Sequence, residues 1–240
     1  GAIFFPIVLA ISWALMSRQP LWKPFIVVAS YVFYAAADPR FCLLLAAITL
    51  VSQGAVVAIH RTEDERLRKW FTAGGVVFDL GVLAVFKYYG FFVESLNAAL
   101  RTAGLPGHLP FVEVIVPVGI SFFTFQGMSY VIDIYRRQTA PATLLDMTLL
   151  MSFFPHLVAG PIVRASHLIP QFQRVPEMTR GMAAMGLSLI VWGLFKKAVI
   201  ASELATGLVD GVFFDPSAHG SLDLVAAAYG YAVQIYCDFS

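Results

Sequence analysis

The stretch Val116-Pro117-Val118-Gly119-Ile120-Ser121-Phe122-Phe123-Thr124-Phe125-Gln126-Gly127-Met128-Ser129-Tyr130-Val131-Ile132-Asp133-Ile134-Tyr135-Arg136-Arg137 decides how this chain folds. After a polar link and a short apolar run it is followed by Phe153-Phe154-Pro155-His156-Leu157-Val158-Ala159-Gly160-Pro161-Ile162-Val163-Arg164. The first part is long enough to cross a bilayer, and a helix is predicted over 112–135. Gln126, Tyr130, Asp133 and Arg137 recur at helical spacing along one side of it. A carboxylate facing lipid is costly, so that side is expected to face protein or a hydrated cavity. The second part is apolar but cut by Pro155, Gly160 and Pro161, so it is expected to enter the membrane without crossing it. A polar-edged helix beside a broken one at membrane depth points to a site inside the membrane.

The rest of the chain fits that setting. Of 240 residues, 59% are hydrophobic and 13% charged, against roughly 25% charged in soluble domains. The apolar residues come in runs near the ~20-residue length of a spanning helix, and the short alternating strands of a β-barrel are missing from the pattern. The expected fold class is therefore all-α, a polytopic transmembrane helical bundle with a re-entrant, proline-broken segment. Net charge is +1 and says little about partners; the lipid bilayer is the expected surroundings, and no nucleic acid is expected. Cys42 and Cys237 lie in apolar runs and read as small core residues. The five histidines show no metal-ligand spacing.

Taken in order, apolar runs are read at 2–16, from Pro24 to 37, at 41–59, 74–92, 112–135, 182–209 and 222–239. Pro24 is expected to open its helix. The charged stretch 60–69 reads as a solvated loop, and 97–110 as a Gly/Pro-containing loop. Residues 144–154 are too few to cross a ~30 Å core, which is the second argument for re-entry. Lys196-Lys197 interrupt the run 182–209, so a shallow, kinked or re-entrant helix is expected there. Gly1 is not an initiator methionine and Ser240 falls within an apolar segment, which reads as a fragment of a longer protein. With Gly1 outside, the short inside loops collect Arg18, Lys23, Arg61, Arg66, Arg68, Lys69, Arg136 and Arg137, while the outside loops hold Arg40 and Arg101; the basic-residue rule then sets the orientation.

Candidate functional residues each carry a plainer reading. Gln126, Tyr130 and Asp133 either line a cavity or simply hydrogen-bond neighbouring helices. Tyr231, Gln234 and Asp238 repeat the pattern in the last helix. His156, between Pro155 and the Gly160-Pro161 break, is either a general base or a histidine bonded to loop backbone. Asp79 and Lys87 share a span; Lys87 reads as snorkelling to the interface. No nucleophile–base–acid spacing, P-loop or dinucleotide fingerprint occurs.

At these residues the chain resembles the membrane-bound O-acyltransferase family, in its bacterial branch of alginate O-acetylation and teichoic acid D-alanylation. The resemblance is carried by 117–126, by Ser129-Tyr130-Val131-Ile132-Asp133, and by Phe153-Phe154-Pro155 with Val158-Ala159-Gly160-Pro161-Ile162. It continues in Gly193-Leu194-Phe195-Lys196-Lys197 and in Gln234-Ile235-Tyr236-Cys237-Asp238-Phe239-Ser240, in family order. It implies that residues 1–240 form the N-terminal part of one such domain. It also implies transfer of an acyl group from a cytoplasmic thioester, acetyl-CoA or an acyl carrier, to a hydroxyl of an extracytoplasmic polysaccharide, with no bound cofactor or metal. Other polysaccharide-acetylation proteins are implied as partners, and the bacterial cytoplasmic (inner) membrane as the location.

The family's catalytic histidine lies C-terminal to the Asp238-Phe239-Ser240 motif, so that role is not transferred to His156, and the fragment alone is expected to be inactive. Tunnel-lining or positioning roles are assigned to Gln126, Tyr130, Asp133, Pro155, His156, Gly160, Pro161, Arg164, Gln234 and Asp238. Lys196 and Lys197 are assigned to the donor side, with headgroup contact as the alternative. D-alanyl transfer to teichoic acid is the competing reading within the family, and a transporter or channel with a polar cavity is the one outside it.

Overall fold

A computed structural model describes residues 3–104, 115–158, 160, 162–175 and 179–240. Among them every regular element is helical, with no strand. Among the described residues three continuous helices are long and apolar enough to cross a membrane: Arg40–Arg61, Glu65–Thr102 and Arg180–Phe214. The protein is a membrane protein. Its chain forms two compact units, Gly1–Pro176 and Glu177–Ser240.

In the first unit, α1 (Phe4–Leu15) and α2 (Gln19–Ala35) lead into α3 (Arg40–Arg61). Helix α2 begins five residues earlier than Pro24. Pro20 takes the first-turn place where a missing N–H costs nothing, and Pro24 lies inside the helix. The solvated link after α3 is short, because Asp64 accepts the Arg66 N–H and caps α4 (Glu65–Leu83) at once. Helix α4 runs through a π-helical stretch, Ala84–Tyr88, into α5 (Tyr89–Thr102). Residues 97–102, read as loop from their Gly/Pro neighbours, are therefore helical.

Helix α6 (Ile120–Tyr135) is shorter than the predicted 112–135, part of which lies outside the described residues. Gly119 ends the preceding turn with φ +80 and acts as its N-cap. Hydropathy does not register such a turn, since the residues before it are as apolar as the helix. Helices α3, α4 and α6 pack on one another. At their crossing a Cβ on Gly127 would stand 3.0 Å from Ser52 Oγ and 3.3 Å from Asp79 Oδ2. Asp79 and Ser52 are fully buried. Gly127→Leu is expected to force these helices apart, lowering stability by about 1–3 kcal/mol, read as a drop in thermal midpoint of the full chain in detergent.

Helices α7 (Leu144–Ser152), α8 (Phe154–Leu157) and α9 (Ala165–Gln173) complete this unit. They go in and come back. The start of α7 and the end of α9 meet at Asp146, which receives the Lys23 ammonium from the first turns of α2 and the Gln173 amide at 3.2 Å. Gln19 Nε2 donates to the Arg174 carbonyl at 3.1 Å at the same end. Helix α8 lies at the other end of α6, against Gly119, whose added Cβ would fall 2.3 Å from the Leu157 carbonyl oxygen. Tyr34, near the C-terminal end of α2, donates to the Val118 carbonyl at 2.8 Å there.

The second unit is described by itself. Helix α10 (Arg180–Phe195) is followed without a break by a π-helical stretch (Lys196–Ala201), α11 (Ser202–Leu204), a second π-helical stretch (Ala205–Val209) and α12 (Asp210–Phe214). The two lysines thus coincide with a widened turn in a continuous helix, rather than with a re-entrant break; a π-turn absorbs an irregularity without ending the helix. After a 3₁₀ turn (Pro216–Ala218) comes α13 (Ser221–Phe239), its first turn held by Asp223 accepting the Gly220 N–H at 3.2 Å. No residue of α10 is buried within the unit, which suits an apolar helix whose solvent is lipid.

Candidate functional site

The site is built where the broken segment turns back against α6. Helix α7 stops at Ser152 and Phe153 leaves the helical conformation (φ -52, ψ 102), so the last carbonyls of α7 lack helical partners. Gln126, buried on α6, donates Nε2 to the Leu150 carbonyl and to the Val163 carbonyl, each at 3.4 Å. The amide therefore ties α6 to both the inward and the outward limb. The His156 ring is buried against Phe153, with centroids 5.5 Å apart, and its Nε2 has no hydrogen-bond partner among the described residues.

Gly160 sets the turn. Its N–H donates to the His156 carbonyl at 2.9 Å, and a Cβ there would sit 2.3 Å from His156 Cβ. Pro155 occupies the first turn of α8 and is exposed. Pro161 lies outside the described residues. Arg164 is the N-cap residue of α9 and is exposed, its carbonyl accepting the His167 and Leu168 N–H groups. Tyr130 is fully buried, and its hydroxyl accepts the Ala142 N–H at 2.7 Å, fixing the link before α7. Asp133 is buried one turn further on, and its carboxylate has no hydrogen bond or ion pair among the described residues. The three residues of the stripe thus differ: Gln126 and Tyr130 hold backbone, while the Asp133 side chain has no hydrogen bond or ion pair among the described residues.

Lys87, in the π-helical stretch, reaches Ser121 Oγ at 3.3 Å beside the N-terminal turn of α6. In the second unit, Lys197 pairs with Asp238 at 2.7 Å and Lys196, itself buried, donates to Ser240 Oγ at 2.7 Å and lies 5.8 Å from the Tyr236 ring centroid. Residues given separate roles from sequence are here partners. Gln234 has a buried side-chain oxygen with no hydrogen-bond partner among the described residues.

Asp146 escaped the sequence reading. Its signal was the Thr143-x-x-Asp146 pattern before an apolar run, a helix start: the Thr143 hydroxyl accepts the Asp146 N–H at 3.1 Å. Burial alone would raise its pKa, but hydrogen bonds from Lys23 and Gln173 and the charge of Lys23 override this and hold it below the ordinary carboxylate range.

Along nearly its whole length the chain is similar to known proteins. The chain is 36% identical over 246 residues to the "Probable alginate O-acetylase AlgI" of Pseudomonas aeruginosa, an alignment spanning 99% of this chain and 45% of the relative. The protein of the same name from Azotobacter vinelandii is 39% identical over 88% of this chain and 42% of its own length. This similarity to alginate O-acetylases is consistent with the membrane-bound O-acyltransferase family that the motifs resemble. The "Peptidoglycan O-acetyltransferase" of Helicobacter pylori is a more distant relative, 29% identical over 93% of the chain and 47% of its own length. No protein-family model matches the chain. The chain spans a little under half the length of these curated relatives. In this chain Gln126 and Gly160 hold the turn of the proline-broken segment against α6.

Proposed function

We propose that this chain is the N-terminal part of an enzyme that moves an acetyl group from a cytoplasmic thioester to hydroxyls of an extracytoplasmic polysaccharide such as alginate, in the bacterial inner membrane with the N-terminus outside. The observation that carries this reading is identity of 36% and 39% to two alginate O-acetylases along nearly the whole chain. The chemistry needs a base: an alcohol attacks a thioester poorly until its proton is removed. The hydroxyl oxygen then adds to the thioester carbonyl, the C–S bond breaks, and the proton passes to the departing thiol. The family resemblance gives the base to a histidine C-terminal to Asp238-Phe239-Ser240. In this chain Asp133, buried and with no hydrogen bond or ion pair among the described residues, is the residue proposed to face substrate, and Gln126, Tyr130 and Gly160 are proposed to position the turn beside it. Lys197, exposed and paired with Asp238, is proposed to meet an anionic donor, acetyl-CoA or an acyl carrier. Other polysaccharide-acetylation proteins are the proposed partners. The name of the Helicobacter relative also describes acetyl transfer to a glycan, which supports acetyl as the group and makes the polymer the variable.

The test is to express the full-length gene with its neighbours and measure ester-linked acetyl on exported polymer. Changing the family histidine to Ala is expected to lower acetylation about a hundredfold or more, the size of a lost general base. Asp133→Ala is expected to lower it with protein levels unchanged. Full acetylation in the histidine variant would defeat the reading.

A further inference from the structure

A cavity of about 780 Å³ opens at the end of α3, α4 and α6 where the basic residues collect. Arg68, Arg137, His60 and Thr139 line it, together with Glu63. Arg68 is buried and held in place: Nη2 donates to the Tyr135 carbonyl at 2.8 Å and Nε pairs with Glu65 at 3.3 Å. Its Nη1 has no hydrogen bond among the described residues.

Arg137 is the stronger sign. Helix α6 ends with the Gln138 N–H on the Asp133 carbonyl at 2.8 Å and the Arg137 N–H on the Ile134 carbonyl at 3.0 Å, the paired bonds of a Schellman end. In that motif the penultimate position is left-handed and normally glycine. Here it is Arg137, with φ +58, the one non-glycine residue with positive φ among those described. Strain of that kind persists where the side chain has a task, and this side chain lines the cavity with no acidic partner among the described residues.

We propose that this cavity binds the phosphate of an anionic phospholipid headgroup. Its depth selects that source. His60 and Arg61 form the last turn of spanning helix α3, and Glu65 opens spanning helix α4, so the cavity sits at the border of the apolar layer, where lipid phosphates lie. Asp64 caps α4 and Glu65 pairs with Arg68, and Glu63 is the acid that lines the cavity. Arg61, Arg66, Lys69 and Arg136, all exposed, lie within three positions of lining residues in the chain. Basic pockets between membrane helices bind anionic headgroups in this way.

The test uses the full-length protein in detergent, with phosphatidylglycerol, phosphatidylcholine of the same chains, and inorganic phosphate as probes. Binding is read by native mass spectrometry and folding by the thermal midpoint. The wild type is expected to prefer phosphatidylglycerol. Arg137→Gly relieves the backbone, so it should hold or raise the midpoint while lowering that preference about fivefold. Arg137→Lys, which keeps the charge, should retain most of it. Equal binding of the two lipids, or an unchanged preference in Arg137→Gly, would overturn the proposal. So would displacement of the lipid by inorganic phosphate as effective as by phosphatidylglycerol, which would assign a soluble phosphate ester instead.

Discussion

Gly119→Ala is expected to unseat α8 from the end of α6 and to destabilise the full chain by about 3 kcal/mol or more. Two costs add. Gly119 has φ +80, a conformation that costs an L-residue about 1–2 kcal/mol. The new methyl carbon would also stand 2.3 Å from the Leu157 carbonyl oxygen, and backbone cannot yield as a flexible side chain does. Gly104 separates the two costs. It has φ +68 with nothing within 4 Å of an added Cβ, so Gly104→Ala carries the conformational cost alone. Thermal unfolding in detergent should therefore rank Gly119→Ala well below Gly104→Ala, and Gly104→Ala slightly below wild type. Gly160→Ala, with a Cβ 2.3 Å from His156 Cβ, is expected to fall with Gly119→Ala. Equal midpoints for the Gly119 and Gly104 variants would show that α8 does not rest where the structure places it.

The second large effect belongs to Asp146, which lies in the first turn of α7, outside the three spanning helices. Its side chain is 3% exposed and that of its partner Lys23 15%. Removing one member of a buried pair leaves the other charge uncompensated, which costs about 3–5 kcal/mol. The pH dependence has a definite sign. Folding lowers the Asp146 pKa, so the unfolded chain takes up its proton first as pH falls. The stabilisation is fully present above the unfolded carboxylate value of ~3.9 and is lost as pH drops through the lower folded value. Other carboxylates titrate in the same range, so the informative quantity is the difference between wild type and Asp146→Asn. That difference should be constant at neutral pH and should close in acid. A difference that widened in acid would contradict the pairing.

Sequence made parts of this fold readable and hid others for physical reasons. Runs of apolar residues bounded by Asp38-Pro39 and by the charged 60–69 stretch place α3 well. The shortness of the run after Thr143, with Pro155 and Gly160 beyond it, gives the re-entrant segment. By contrast, the start of α6 depends on one left-handed glycine within an apolar run, which no hydropathy window resolves. The widened turn at Lys196 likewise reads in sequence as an interruption. The stripe Gln126, Tyr130, Asp133 was visible from spacing, but its division into two backbone ties and one carboxylate with no partner among the described residues is tertiary. The meeting of Lys23, Asp146 and Gln173 joins residues 123 positions apart, and no local pattern carries it.

The account rests on α7, α8 and α9 entering and leaving the membrane at one face. Single cysteines at Gln138, Gln171 and Thr102, in a full-length background with Cys42 and Cys237 replaced, test this with a membrane-impermeant thiol reagent. Residues 138 and 171 are exposed and flank the broken segment, and 102 ends the long helix that starts at Glu65. The account predicts that 138 and 171 label from the same face and 102 from the opposite one. Labelling of 171 together with 102, and apart from 138, would mean that the segment crosses, and the turn beside α6 would not exist.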